Sequence, residues 1–235
     1  ADFHFSAILE NLRKWYNGYL FNEDAEFRIY NSDMILYFAT EYNKTGYRKF
    51  PKNIVDENVT SDYLKIQSLF DLKDRKGNYE ALNELLRDKS IMAKLKTSFN
   101  LNFPFTRDDF VSLLFYMGFI SIKESVFSQI RFSPPNYIIE TLFFEYFMQL
   151  MRKYSTFDIE NQKIGDIVLQ LAQDNNIQPL VELAEKTLQS TSNRDFIKFD
   201  EKHIKLLFIA YVHAAGFYYI KSEPEIDRVY PDLML

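Results

Sequence analysis

TRDDFVSLLFYMGFISIKESVFSQIRFSPPN, residues 106–136, is the stretch that decides the fold class. Thr106 followed three residues later by Asp109 is a capping-box-like start, with Asp where Glu or Gln is usual, so a helix is expected from Asp108 to Met117. Gly118 stops that helix, because glycine takes a left-handed backbone without steric cost. The runs Phe119–Lys123 and Gln129–Phe132 flank a short polar turn and read as a hairpin. Pro134-Pro135 then launches a long helix to about Lys153. Helix, hairpin and helix is the layout of a winged-helix-like unit, here residues 106–155. Such units often read DNA, but this one is electrically neutral. Arg107, Lys123, Arg131, Arg152 and Lys153 are matched by Asp108, Asp109, Glu124, Glu140 and Glu145. Its long helix carries Phe143, Phe144, Tyr146, Phe147 and Met148 where a groove-reading helix needs Arg, Lys, Asn and Gln. A packing adaptor fits that pattern better than a DNA reader.

Upstream, Phe5, Ile8, Leu9, Leu12 and Tyr16 recur at helical spacing, and Asn17-Gly18 closes the helix. Tyr19-Leu20-Phe21 and Phe27–Tyr30 flank the acidic turn Asn22–Glu26 and predict a short β-hairpin. Asn31 and Ser32 are N-cap residues for a helix from Asp33 to about Tyr42. Loop signals fill Asn43–Asn58, a helix starts at Thr60-Ser61-Asp62 and reaches about Phe70, and another runs Asn78–Asp88. Ile91–Phe99 is read as a strand. Downstream, two helices are expected between Lys163 and Ser190, a linker over Asn193–Lys198, and a final helix Asp200–Ala215 ended by Gly216 before Phe217-Tyr218-Tyr219-Ile220. The expected class is mostly α (α+β), with helical modules, the winged-helix-like unit and the start of an α/β domain.

Composition narrows the function classes. With 47% apolar residues in 235 the chain can build a sizeable core, and a net charge of −5 argues against a general polyanion binder. There is no cysteine, so neither disulfides nor thiolate zinc sites exist, which fits a reducing, cytoplasmic setting. His4, His203 and His213 are too scattered for a histidine metal site. No apolar run approaches the roughly 20 residues of a membrane span, so no membrane partner is expected. Six glycines supply no Walker-type phosphate loop, and no Gly-x-Ser-x-Gly occurs. The first residue is Ala1 and the chain stops abruptly at Leu233-Met234-Leu235, which reads as a piece of something larger.

The last forty residues carry the candidate chemistry. Glu201 opens the final helix, Glu223 follows one predicted strand and Asp232 heads another. Carboxylates reaching one point from a helix start and a strand edge can hold a divalent cation, with water and phosphate completing the shell. The plainer reading is that Glu201 meets the helix dipole and pairs with Lys205, while Glu223, Glu225 and Asp227 form a solvated turn.

Four earlier runs and the two late acids carry a family resemblance. They are Trp15-Tyr16-Asn17-Gly18-Tyr19 with Phe21; Ile29-Tyr30-Asn31-Ser32; Leu113–Lys123; Phe132-Ser133-Pro134-Pro135-Asn136; and finally Ser222-Glu223 with Asp232-Leu233. Together they resemble the bacterial AAA-ATPase-like proteins, in which a P-loop ATPase domain precedes a winged-helix-like region and a PD-(D/E)XK nuclease-like domain closes the chain. The resemblance implies that residues 1–105 are the tail of the ATPase-like region and that residues 156–235 lead into a truncated nuclease-like domain. It makes Glu201 and Asp232 ligands of Mg²⁺ in the intact parent, with Glu223 a supporting acid, although Tyr230-Pro231 stands where the family has Gly-Arg. The family's phosphate loop would precede Ala1 and its last Glu-x-Lys strand would follow Leu235. Two functions are therefore expected in competition. One is a catalytically incomplete fragment of an ATPase and nuclease-like protein acting on nucleic acid. The other is a non-catalytic protein-interaction module in which the nuclease-like fold has decayed and the aromatic surface docks a partner.

Overall fold

Four helices begin where a side chain takes up a backbone donor that the first turn leaves free, at Asn31, Asp74, Thr106 and Asn136. The computed structural model describes residues 2–47, 50–51, 59–72, 74–99, 104–154, 161–190, 201–215, 221–222 and 233–234. Helix α1 (Asp2–Tyr16) is followed by α2 (Ser32–Lys44), whose cap Asn31 accepts from Met34 N through Oδ1 at 3.2 Å. Helix α3 (Val59–Phe70) turns into α4 (Arg75–Asp88), capped by Asp74. Asn78 is buried in that turn and its amide donates to the carbonyls of Phe70 and Leu72, closing the last turn of α3. Helix α5 (Arg107–Tyr116) has a complete capping box: Thr106 Oγ1 accepts from Asp109 N, and Asp109 accepts from Thr106 N at 2.9 Å. Asp therefore does the work that Glu does elsewhere.

Strands β1 (Ile91–Ala93), β2 (Ser121–Val126) and β3 (Gln129–Ser133) make an antiparallel sheet in the order β1-β3-β2. Phe132 faces Ile91 on one side and Ile122 on the other, so three buried side chains form one row under α5. The strand expected over Ile91–Phe99 is thus only three residues long. The register leaves β3 no residue to pair beyond Gln129, and α5, more than a dozen residues on, takes the next donors: Lys94 N donates to Asp108 Oδ1 and Lys96 N to Ser112 Oγ. The sheet also draws its third strand from ahead of residue 106. The hairpin expected from Tyr19–Phe21 and Phe27–Tyr30 reduces to a single bridge, Tyr19 to Ile29. Leu20 turns instead to β2, accepting from Ile122 N and donating to Ser121 Oγ.

Contacts divide the chain into Ala1–Leu142 and Phe143–Leu235, the division falling inside helix α6 (Tyr137–Tyr154). In the first unit, Tyr16, Phe38, Tyr42 and Ile138 form one buried cluster around α1 and α2, and Phe110, Val111, Leu114 and Phe115 pack α5 on the sheet. The second unit holds the rest of α6 with α7 (Asn161–Asp174), α8 (Gln178–Ser190) and α9 (Glu201–Ala215), and the pair β4 (Lys221–Ser222) and β5 (Leu233–Met234). Phe143, Phe147 and Met151 of α6, Ile164 and Val168 of α7, Leu180 of α8, and Leu207 and Ala210 of α9 are buried. Phe144 stacks on His213 at 4.9 Å. The linker read over Asn193–Lys198, Gly216 and the run Phe217–Ile220 lie outside the described residues. Among the described residues no helix is long and apolar enough to cross a membrane.

One polar pair is locked into the second unit. Tyr211 and Thr187 are both buried; the tyrosine hydroxyl donates to Thr187 Oγ1 at 2.6 Å, and Thr187 donates to Leu183 O at 2.9 Å. Removing the acceptor strands a buried hydroxyl, whereas removing the donor leaves the threonine bonded. Thr187→Val is therefore expected to cost about 1–3 kcal/mol and Tyr211→Phe roughly 0.5–1.5 kcal/mol. Burial pushes the Tyr211 hydroxyl up to about 12 from 10.0, a rise that the bond to Thr187 only partly offsets. The folded chain thus holds this proton more tightly than the unfolded one. Its stabilising effect is whole below about pH 10 and is lost as pH rises through about 12. Chemical denaturation at pH 8 and pH 11 should show that loss reduced in Tyr211→Phe; an unchanged pH dependence contradicts it.

Candidate functional site

Four sequence runs, Trp15–Tyr19 with Phe21, Ile29–Ser32, Leu113–Lys123 and Phe132–Asn136, meet in space. Gly18 is the hinge of the arrangement: its φ is +113°, and a Cβ added there would lie 1.8 Å from Pro135 O. Only glycine lets the first run press against the fourth. Arg28, beside the second run, donates through Nη1 to Gly18 O at 2.7 Å and through Nη2 to Ile122 O at 3.0 Å. Ser121, fully buried in the third run, accepts from Leu20 N at 2.7 Å and donates to Gly18 O at 3.0 Å. One guanidinium and one hydroxyl thereby satisfy backbone groups that leave the regular sheet, as buried polar backbone requires.

These ties frame a cleft of about 400 Å³ in the Ala1–Leu142 unit. Trp15, Tyr19 and Phe21 come from the end of α1 and the segment after it, Ile29 and Tyr30 from the return segment. Asn31, Ser32, Asp33 and Met34 supply the start of α2. Tyr116, Met117, Gly118 and Phe119 supply the end of α5, and Asn136, Ile138, Ile139 and Leu142 the start of α6. The caps hold two helix starts at the cleft, Asn31 through Met34 N and Asn136 through Ile139 N. Phe21 stacks on Tyr19 at 5.9 Å and tilts against Phe115 at 5.7 Å, fixing its ring. The rim stays open: Phe21, Ile29, Tyr116 and Met117 are each between 47% and 53% exposed. The lining has one carboxylate, Asp33, and no histidine, lysine or arginine. Such a lining, mixed aromatic and polar, can hold and orient a group that is apolar on one side and polar on the other; it has no acid–base pair for proton transfer.

Comparison with protein-family models, curated proteins and solved structures gives no match. The geometry therefore carries the functional reading.

The predicted acids stand apart from this cleft in sequence. Glu201 is the first residue of α9. Glu223 and Asp232 lie outside the described residues. The described strands next to them do pair, Lys221 with Met234 and Ser222 with Leu233. Among the described residues no group of three or more His, Cys, Asp or Glu is placed to hold a metal ion. Reading the sequence for carboxylates missed the cleft, because its residues are aromatic and aliphatic and look like core. The available signal was the runs themselves, three of the four marked by glycine or proline and each holding at least one aromatic residue.

Proposed function

We propose that the chain is part of an ATPase- and nuclease-like protein acting on nucleic acid, as its sequence resemblance implies, and that its Ala1–Leu142 unit is a binding module centred on the cleft. One observation supports the binding role. Four separated stretches are tied together by Gly18, Arg28 and Ser121 around an aromatic cleft whose rim is left half exposed. A concave cleft whose walls mix aromatic and polar groups, held in shape by fixed backbone ties, is a candidate ligand or partner site. Nile red, an uncharged dye that brightens in apolar surroundings, tests this. Its emission should rise with the wild-type chain and fall to about a third or less in Met117→Glu and Ile29→Glu, because a charge at the rim disfavours an apolar guest. Equal emission from all three proteins at equal thermal stability would place the apolar opening elsewhere.

A second reading is favoured by the pairing of Ser222 with Leu233, the chain neighbours of Glu223 and Asp232. In it, Glu201 and Asp232 are the residues that would hold a magnesium ion in the intact parent, with Glu223 in support. Bound there, such an ion supplies Lewis-acid polarisation of a phosphodiester. Two carboxylates with water completing the shell bind a divalent ion weakly. Calorimetry with Mn²⁺ should accordingly show weak binding that Asp232→Ala removes. Binding unchanged by that substitution, or none in either protein, would end this reading.

A further inference from the structure

One carboxylate, Asp33, lines the cleft, and the loop joining two of its rim residues is acidic. Between Trp15 and Met34 stand four carboxylates, Glu23, Asp24, Glu26 and Asp33, against a single cation, Arg28. Both ends of the Arg28 guanidinium are turned to the backbone at Gly18 and Ile122. Glu23, Asp24 and Glu26 occupy the exposed loop that joins Phe21 to Ile29, two residues of the rim, and this loop is folded on itself by Ala25 N to Asn22 O and Asp24 N to Asn22 Oδ1. Resting on the reading of the cleft as a binding site, we infer that its occupant is a basic segment of a partner polypeptide that inserts an apolar side chain.

Both parts of that chemistry are needed. An apolar anchor suits a cleft whose lining includes Trp15, Ile29, Tyr30, Met34 and Met117, and buried anchors of this kind carry most of the affinity of small interfaces. Lysine or arginine beside the anchor meets Asp24, Glu26 and Asp33, Glu23 already accepting from Ser125, and this raises the on-rate and selects against acidic partners. Nucleic acid is the wrong guest, since its phosphates require lysine and arginine and none lines the cleft. A second copy of the chain, at a net charge of −5, brings like charge to the acidic loop beside the cleft.

Selection of random peptides displayed on phage against the 235-residue chain supplies the probe, and the enriched peptides are then synthesised with a fluorescent label. They should carry net positive charge together with Phe, Tyr, Trp, Leu or Met. Their affinity should fall about tenfold or more in Met117→Glu and in Ile29→Glu, two half-exposed positions on different segments whose variants are checked for unchanged melting. It should fall about three- to tenfold in the double variant Asp24→Lys with Glu26→Lys, and weaken as salt rises from about 50 to 300 mM. Cleft-dependent enrichment of neutral or acidic peptides would overturn the basic partner while leaving the cleft a binding site. No enrichment, or affinity indifferent to both cleft variants, would overturn polypeptide docking; the dye measurement then decides separately whether the cleft binds at all. A labelled oligonucleotide bound by wild type and lost in the cleft variants would make the guest nucleic acid and end the inference.

Discussion

Gly18→Ala is expected to destabilise the Ala1–Leu142 unit by about 4 kcal/mol, combining roughly 1–3 kcal/mol for a side chain at strongly positive φ with a similar amount for overpacking. The clash is with backbone: the new Cβ would lie 1.8 Å from Pro135 O and 2.7 Å from Pro135 C, so no side-chain rotation relieves it. Moving the segment away would break the bonds that Arg28 and Ser121 make to Gly18 O. Gly118 is the useful comparison. Its φ is +78°, but a Cβ there would meet only Tyr19 Cε1 at 3.9 Å, an ordinary contact, so Gly118→Ala carries the backbone term without the collision. Urea denaturation of the three proteins checks the ranking; Gly18→Ala no worse than Gly118→Ala would contradict the close approach to Pro135.

Phe132→Ala should cost about 3–5 kcal/mol, the usual range for deleting a buried aromatic from a packed core. Phe132 is fully buried on β3, between Ile91 and Ile122 of the flanking strands, and its ring lies 5.4 Å from Phe115 of α5. Its neighbours belong to two strands and a helix, so the hole cannot close by moving one of them. Phe127 lies five residues earlier, fully exposed at the tip of the same hairpin with φ +54°. Phe127→Gly therefore removes no buried surface and relieves a left-handed backbone, with stability expected to be unchanged or higher by up to about 1 kcal/mol. Denaturation midpoints of the pair separate the two roles; similar losses in both would mean that the hairpin tip is packed.

The sequence was most legible where local chemistry decides structure. Thr106 with Asp109 marked the start of α5, Gly118 its end, and Asn31 the cap of α2, because caps and left-handed stops depend on residues within one turn. It was least legible where distant groups compete for the same backbone. The strand beginning at Ile91 stops where β3 ends and its next donors go to Asp108 and Ser112, more than a dozen residues on, and the hairpin at Tyr19 was reduced to one bridge because Leu20 pairs with Ser121 and Ile122, a hundred residues on. No window of sequence contains both partners. The cleft was hidden for a related reason. Its aromatics are those that any core would use, and what distinguishes them is that Phe21, Ile29, Tyr116 and Met117 remain half exposed, a property of the assembled unit. The carboxylates at Glu201, Glu223 and Asp232 were legible as chemistry, and the paired strands beside the last two are the only described support for bringing them together.

The chain contains six methionines, and they make the most direct test of the cleft. Met34 and Met117 line it, whereas Met148 and Met151 are buried in the other unit and Met92 lies on β1. In a chain labelled with carbon-13 at the methionine methyl groups and assigned by single Met→Leu variants, titration with Nile red should shift the resonances of Met34 and Met117 and leave Met92, Met148 and Met151 in place. Shifts confined to Met148 and Met151, or dye binding that moves neither Met34 nor Met117, would contradict a binding site at this cleft.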